Sequence, residues 1–160
     1  MGVAVLDGSD LIFTTIKTIK VKGLSGAKTL VKLEKIIKDL IVHYAPNVLA
    51  VEEPLPIQKK RSPLLNQMFN RIKKIGRAEN LEVISSAPNV VRQYICAQEK
   101  PTKLKTAFII ATNYYSWLYR YYEKDLAKKW WEEKYWASLF DAVALGLWVL
   151  AKRSMKEEEK

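Results

Sequence analysis

The feature that most constrains the fold is an alternation. After Gly26, short apolar runs rich in β-branched residues take turns with longer segments whose apolar residues recur at helical spacing. Chains built this way lay short strands side by side and return between them through helices packed on the sheet. A different signal precedes the alternation. From Gly2 to Val21 two β-type runs, Val3 to Leu6 and Leu11 to Ile19, flank Asp7-Gly8-Ser9-Asp10, and an Asp-Gly pair so flanked is a strong hairpin signal. The expected fold is α/β: a mixed β-sheet flanked by helices, with an N-terminal antiparallel hairpin followed by parallel strands.

Past the turn residues Gly23, Ser25 and Gly26, the residues Leu30, Leu33, Ile37, Leu40, Ile41 and Tyr44 share one helical face, with lysines between them. That helix leads through Pro46-Asn47 into a strand, Val48 to Val51, closed by Glu52 and Glu53. Pro54 and Pro56 break the chain, and Gln58 to Arg61 form a basic loop. Ser62-Pro63 then offers an N-cap and first helical residue for a helix with an apolar stripe from Leu64 to Ile75. Leu81 to Ser85 reads as a buried strand, and Ser86-Ala87-Pro88 opens a short helix through Ile95. A polar loop with Lys100, Pro101, Lys103 and Lys105 precedes a long, aromatic helical stretch from about Thr106, and a last apolar helix runs from about Ser138 to Lys152. Residues 1–155 read as one domain and the charged tail 156–160 as disordered.

Charge narrows the partners. With 27 Lys and Arg against 17 Asp and Glu, the net charge of +10 favours polyanions, whose counterions are released when phosphates are neutralised. An anionic membrane surface or another acidic partner answers to the same charge. The lone Cys96 excludes an intrachain disulfide, and with His43 as the only histidine a conventional zinc site is not expected. No long uninterrupted apolar stretch and no secretory pattern stand in the sequence, so a soluble cytoplasmic protein is expected, without a membrane. Abundant Lys, Glu, Ile and Tyr suit a heat-adapted protein.

Within this basic chain, Glu52 and Glu53 close an apolar strand and Asp141 opens an apolar helix. Acids at two such places are able to share a metal, and a cation-binding spot inside an anion-attracting surface suggests chemistry on a nucleic-acid backbone. Each residue also has a plainer reading. The two glutamates read equally as a solvated strand exit, and Asp141 as a helix-start acid favoured by the macrodipole. Successive strand residues point to opposite faces, which separates Glu52 from Glu53.

The opening Gly2-Val3-Ala4-Val5-Leu6, the strand end Ala50-Val51-Glu52-Glu53, the segment Pro88-Asn89-Val90-Val91-Arg92 and Phe140-Asp141-Ala142 resemble, in the same order, the RuvC-type Holliday junction resolvases of the ribonuclease-H-like superfamily. The resemblance covers almost the whole chain. It implies a DNA-binding, metal-dependent, structure-specific endonuclease of DNA recombination and repair. A homodimer would place two sites on opposed strands of a four-way junction, with Mg²⁺ or Mn²⁺ held by carboxylates. Glu52 matches the family's fourth-strand acid and Asp141 an acid of its final helix, while Ser138 stands where the family carries another acid one turn earlier.

Two registers remain open at the start. In one, the chain begins at the family's second strand, Asp7 lies in the hairpin turn, and the first-strand Asp is either encoded upstream or lost together with activity. In the other, Val3 to Asp7 is the first strand and Asp7 joins Glu52 and Asp141 as a catalytic, metal-binding residue. The resemblance also gives Arg92 and Lys103 a place near the scissile phosphate, with Lys103 stabilising developing charge. Lys59, Lys60 and Arg61 are expected to position phosphates, and Lys73, Lys74, Arg77 and Lys105 to join them in binding nucleic acid. The stripe Leu64 to Ile75 resembles the family's dimer helix and reads equally as core. The aromatic residues between Trp117 and Trp136 suit either packing or stacking on unpaired bases. Beside the nuclease stand a catalytically inactive binding or scaffolding protein of the same fold and a basic RNA or ribosome binder.

Overall fold

A computed structural model describes residues 1–19, 25–53, 62–97, 100–128 and 135–158, which group into two compact units, Met1–Lys17 with Asn89–Lys160, and Thr18–Pro88. In the first unit, β1 (Gly2–Asp7) and β2 (Asp10–Ile16) pair antiparallel around Gly8-Ser9, with Asp7 opposite Asp10 and an irregularity between Val5 and Leu6. Gly8 takes a φ of +53°, the left-handed conformation that the turn demands and that glycine adopts without strain. The hairpin is thus as the sequence indicates, except that β2 ends at Ile16 rather than Ile19.

The hairpin lies on the last helix, which we label α6 (Ala137–Glu158). A Cβ on Gly2 would collide with the backbone of Ser138, and one on Gly146 with the side chain of Leu6. Glycine at both places lets strand and helix backbones approach, and the two contacts show that α6 runs alongside β1 in the same direction. Leu139, Phe140, Val143, Ala144 and Leu147 form the buried side of α6. The helix continues through Lys156 to Glu158, where the sequence suggested a disordered tail; Lys and Glu are good helix formers, and each added residue propagates an existing helix at little cost. Glu159 and Lys160 lie outside the described residues.

Against α6 packs a helix we label α4 (Lys103–Ile109); the preceding α3 (Pro88–Cys96) reaches α6 through Arg92, and α5 (Tyr119–Leu126) packs on α4. Thr102 caps α4 by accepting a hydrogen bond from the Lys105 N–H at 3.1 Å. The long helix expected from Thr106 is interrupted: α4 widens into a π-helical turn at Ile110–Tyr114 and tightens into a 3₁₀ turn at Ser116–Leu118 before α5. The break coincides with Tyr115, whose hydroxyl donates to the Ser9 carbonyl at 2.6 Å and ties this segment to the hairpin turn. Burial, then the nearby Asp10 and Tyr114, raise the Tyr115 pKa and keep that donor protonated.

The second unit is a βαβ element with an additional helix. Ser25 caps α1 (Gly26–Tyr44), and Ser62 caps α2 (Pro63–Ala78) with Pro63 in its first turn, as the sequence indicates. β3 (Val48–Glu52) and β4 (Glu82–Ser86) pair in parallel, from Val48 opposite Glu82 to Glu52 opposite Ser86. The core joins Leu33 and Ile37 of α1, Val51 of β3, and Ile72 and Ile75 of α2, with Met68 and Phe69 packed against it. Of the α2 stripe read as a candidate dimer face, Ile72 and Ile75 are buried in this unit's own core with Met68 and Phe69 packed against it, while Leu64 and Leu65 are half-buried. Among the described residues the strands form two two-stranded sheets, so the mixed α/β character holds while the single mixed sheet does not appear.

α1 and α2 run in the same direction: Gly26 faces Leu64 near their starts, and Glu34 meets Arg71 a few turns on. Glu34 also bonds Lys38 at 3.0 Å, and Arg71 and Lys38 lower its pKa from the ordinary 4.5. A depressed carboxylate pKa contributes stability that is fully present above the ordinary value and lost as pH falls through the folded one. Acid titration of stability should therefore show a contribution lost below pH 4.5, absent from Glu34→Gln.

Candidate functional site

Asp141 lies in the second turn of α6, and both of its carboxylate oxygens face cations. Arg92 of α3 donates to Oδ1 through Nε at 3.3 Å and Nη2 at 3.0 Å, and the ammonium of Lys103, the first residue of α4, lies 3.6 Å from Oδ2. The Arg92 and Asp141 side chains are 14% and 15% exposed, whereas Lys103 is 61% exposed. Arg92 reaches this place because Val91, Ile95 and Cys96 bury the inner side of α3, which carries the neighbouring guanidinium inward with them. A carboxylate so enclosed is already neutralised, and the remaining positive charge is presented to solvent on Lys103.

The end of β3 is the second cluster. Glu53 accepts from the Lys73 ammonium at 2.6 Å and from the Ser85 hydroxyl at 3.1 Å, and its N–H donates to the Ser86 carbonyl at 2.8 Å. Glu53 shares the β3 face of Leu49 and Val51, which packs against α2; Glu52 takes the other face by strand alternation, half-buried and paired across the sheet with Ser86. Lys73 is thus a structural partner of Glu53 before it is a phosphate ligand. Lys74 and Arg77 are exposed, and Lys105 is half-buried. Lys59, Lys60 and Arg61 lie outside the described residues.

Asp7 stands at the hairpin tip, one residue beyond Leu6, which abuts Gly146. Gly146 is five helical steps beyond Asp141, so Asp7 lies roughly 10 Å further along α6 than Asp141 by ordinary strand and helix rises. Asp7 and Asp141 are therefore not brought together, and Ser138 contributes no charge. Among the described residues no three His, Cys, Asp or Glu side chains gather in a way able to hold a metal ion. With one carboxylate against two cations, the Asp141 environment does not fit a divalent cation, which needs an excess of negative oxygen donors. Its net charge is positive, with the exposed share on Lys103.

No family model matches the chain, and no curated protein matches it. Among solved structures, RuvC of Thermus thermophilus aligns with a TM-score of 0.66 over 96% of this chain and 86% of that one, at 13% sequence identity. The fold is therefore RuvC-like. No described helix is long and apolar enough to cross a membrane.

The sequence pointed to Asp141, Arg92 and Lys103 separately, without showing that they form one cluster. The signal for Arg92 was present in its position, one residue from Val91 and three from Ile95, on the side of an amphipathic helix that turns inward. The Glu53–Lys73 pair carried no such signal, because Lys73 reads as one more lysine at the margin of α2.

Proposed function

We propose that this protein binds branched DNA, four-way junctions in particular, through its RuvC-like domain, as a binding or scaffolding module rather than through metal-dependent cleavage. The Arg92–Asp141–Lys103 cluster carries this reading: the helix acid that would hold a metal is engaged by two cations, and the exposed one is placed to meet a phosphate. Overall charge and fold support a DNA partner, since +10 on a RuvC-like scaffold matches a phosphate backbone. A homodimer would let two such clusters address opposite arms of a junction.

The second reading is a nuclease in which Glu52 and Asp141, without Asp7, would hold Mg²⁺ or Mn²⁺ and Lys103 would stabilise developing charge. The observation that favours it is the position of Glu52 at the end of β3, on the face turned away from Lys73. Incubating the chain and Glu52→Gln with labelled four-way junctions and linear duplexes, with and without each metal, separates the readings. Junction-preferring shifts without cuts agree with the binding module. Symmetric, metal-dependent cuts lost in Glu52→Gln would overturn it.

Lys103→Ala tests the exposed arm of the cluster. Removal of one phosphate contact should weaken junction binding several-fold at low salt and lower the slope of log affinity against log salt by about 1, with little change in unfolding midpoint.

A further inference from the structure

The positive charge is unevenly shared. Residues Thr18 to Pro88 carry 13 Lys and Arg against 6 Asp and Glu, which is +7 of the chain's +10. Much of it lies on the outer side of the α1–α2 layer, away from the core of Leu33, Ile37, Ile72 and Ile75. On α1, Lys28, Lys32, Lys35 and Lys38 are exposed with Val31 and Val42 among them; on α2, Gln67, Asn70, Lys74 and Arg77 are exposed. The only acids of the two helices are Glu34 and Asp39, and Glu34 is engaged by both Lys38 and Arg71. Lys28, Lys32, Lys35, Lys74 and Arg77 have no ion-pair partner among the described residues.

We infer that this outer face of α1 and α2 is a second DNA-contact surface, one that holds the phosphate backbone of a linear duplex arm without reading its sequence. The geometry suits a strand of phosphates. Because the helices run in the same direction with Gly26 level with Leu64 and Glu34 with Arg71, the cations form a band from Lys28 obliquely across to Arg77. That band spans about 18 Å along the helix axes at 1.5 Å per residue, roughly the axial length of five phosphates on one strand. Its uncharged members, Gln67 and Asn70, are hydrogen-bonding groups able to meet phosphate and sugar oxygens. A second copy of the chain would not suit this face, since like-charged surfaces repel and the apolar residues Ile72 and Ile75 of α2 lie on its other side, in the unit's core.

This surface shares with the junction reading only the DNA partner, so one experiment addresses both. Anisotropy titrations with a linear duplex and a four-way junction are run over a salt series on wild type, Lys28→Ala/Lys32→Ala/Lys35→Ala, the same three positions changed to Arg, Lys74→Ala/Arg77→Ala, and a control pair on α6, Lys152→Ala/Lys156→Ala. The expected result is that the triple alanine variant loses about ten-fold or more in affinity for linear duplex, with the salt slope falling by 2 to 3. The double variant should lose about 2 from the slope, while the arginine variant and the control should stay near wild type. Unchanged slopes in the two α1 and α2 alanine variants, with duplex binding and folding intact, would overturn the inference even if junction preference persists. Duplex binding lost in these variants from a wild type with no junction preference would sustain it and sink the junction reading instead. A change in sedimentation of the alanine variants without a change in slope would assign the face to self-association and likewise overturn it.

Discussion

Replacing Arg92 by Met will destabilise the protein by about 2 to 3 kcal/mol, measured by denaturant unfolding at neutral pH and low salt. The substitution keeps most of the side-chain volume against α6 but leaves the Asp141 carboxylate, 15% exposed, with only the longer 3.6 Å contact to Lys103. Breaking one partner out of a buried ion pair typically costs 3 to 5 kcal/mol, because the remaining charge stays desolvated; the residual lysine contact and the partial exposure lower the figure here. The double variant Arg92→Met/Asp141→Leu should recover most of the loss, since no charge is then left without its partner. The coupling between the two positions, obtained from the four-variant cycle, is the quantity that separates a paired cluster from two independent residues.

Leu33→Ala will cost about 3 to 4 kcal/mol. Leu33 is 0% exposed at the centre of the cluster formed with Ile37, Val51, Ile72 and Ile75, and three of the elements that would have to close the cavity are held by their own hydrogen-bond ladders. Leucine-to-alanine changes at such sites span roughly 2 to 5 kcal/mol according to how far the surroundings relax, and a site enclosed by two helices and a sheet relaxes little. Amide exchange in α1 and α2 should accelerate together with the loss in unfolding free energy. An effect below about 1 kcal/mol would mean that α1 is not packed on β3 and α2 as described.

Local chemistry made much of this fold legible. Asp7-Gly8 announced a hairpin because few sequences accept the left-handed turn conformation, and Ser62-Pro63 announced a helix start because a hydroxyl cap and a fixed φ serve the first turn. The elements that escaped depend on distant partners. The helix from Thr106 is broken beside Tyr115, whose hydroxyl reaches Ser9, more than a hundred residues earlier, and no periodicity in the neighbourhood of Tyr115 encodes that contact. The α2 stripe illustrates the converse: helical spacing establishes that Leu64 to Ile75 has an apolar side but is silent on whether that side meets the same chain or another.

The same division holds in the candidate site. Glu52 and Asp141 were conspicuous as acids at the ends of apolar elements, yet whether an acid binds a metal or a guanidinium depends on which cation the fold delivers to it. α3 delivers Arg92 to Asp141, and α2 delivers Lys73 to Glu53. Residues that read as phosphate ligands in sequence thus divide into those used internally, Arg92 and Lys73, and those left at the surface, Lys74, Arg77 and Lys103.

Whether Asp141 is the ion-pair partner of Arg92 or a metal ligand is decided by the unfolding free energy of wild type and Asp141→Asn with and without millimolar Mg²⁺. Asn keeps the shape of the side chain and removes its charge, leaving a guanidinium only 14% exposed without its counter-ion. The pairing predicts a loss of about 2 kcal/mol in Asp141→Asn and no effect of Mg²⁺ on either protein. A wild type stabilised by Mg²⁺ through ligand linkage, together with an Asp141→Asn variant that is more stable than wild type without metal and indifferent to Mg²⁺, would contradict it.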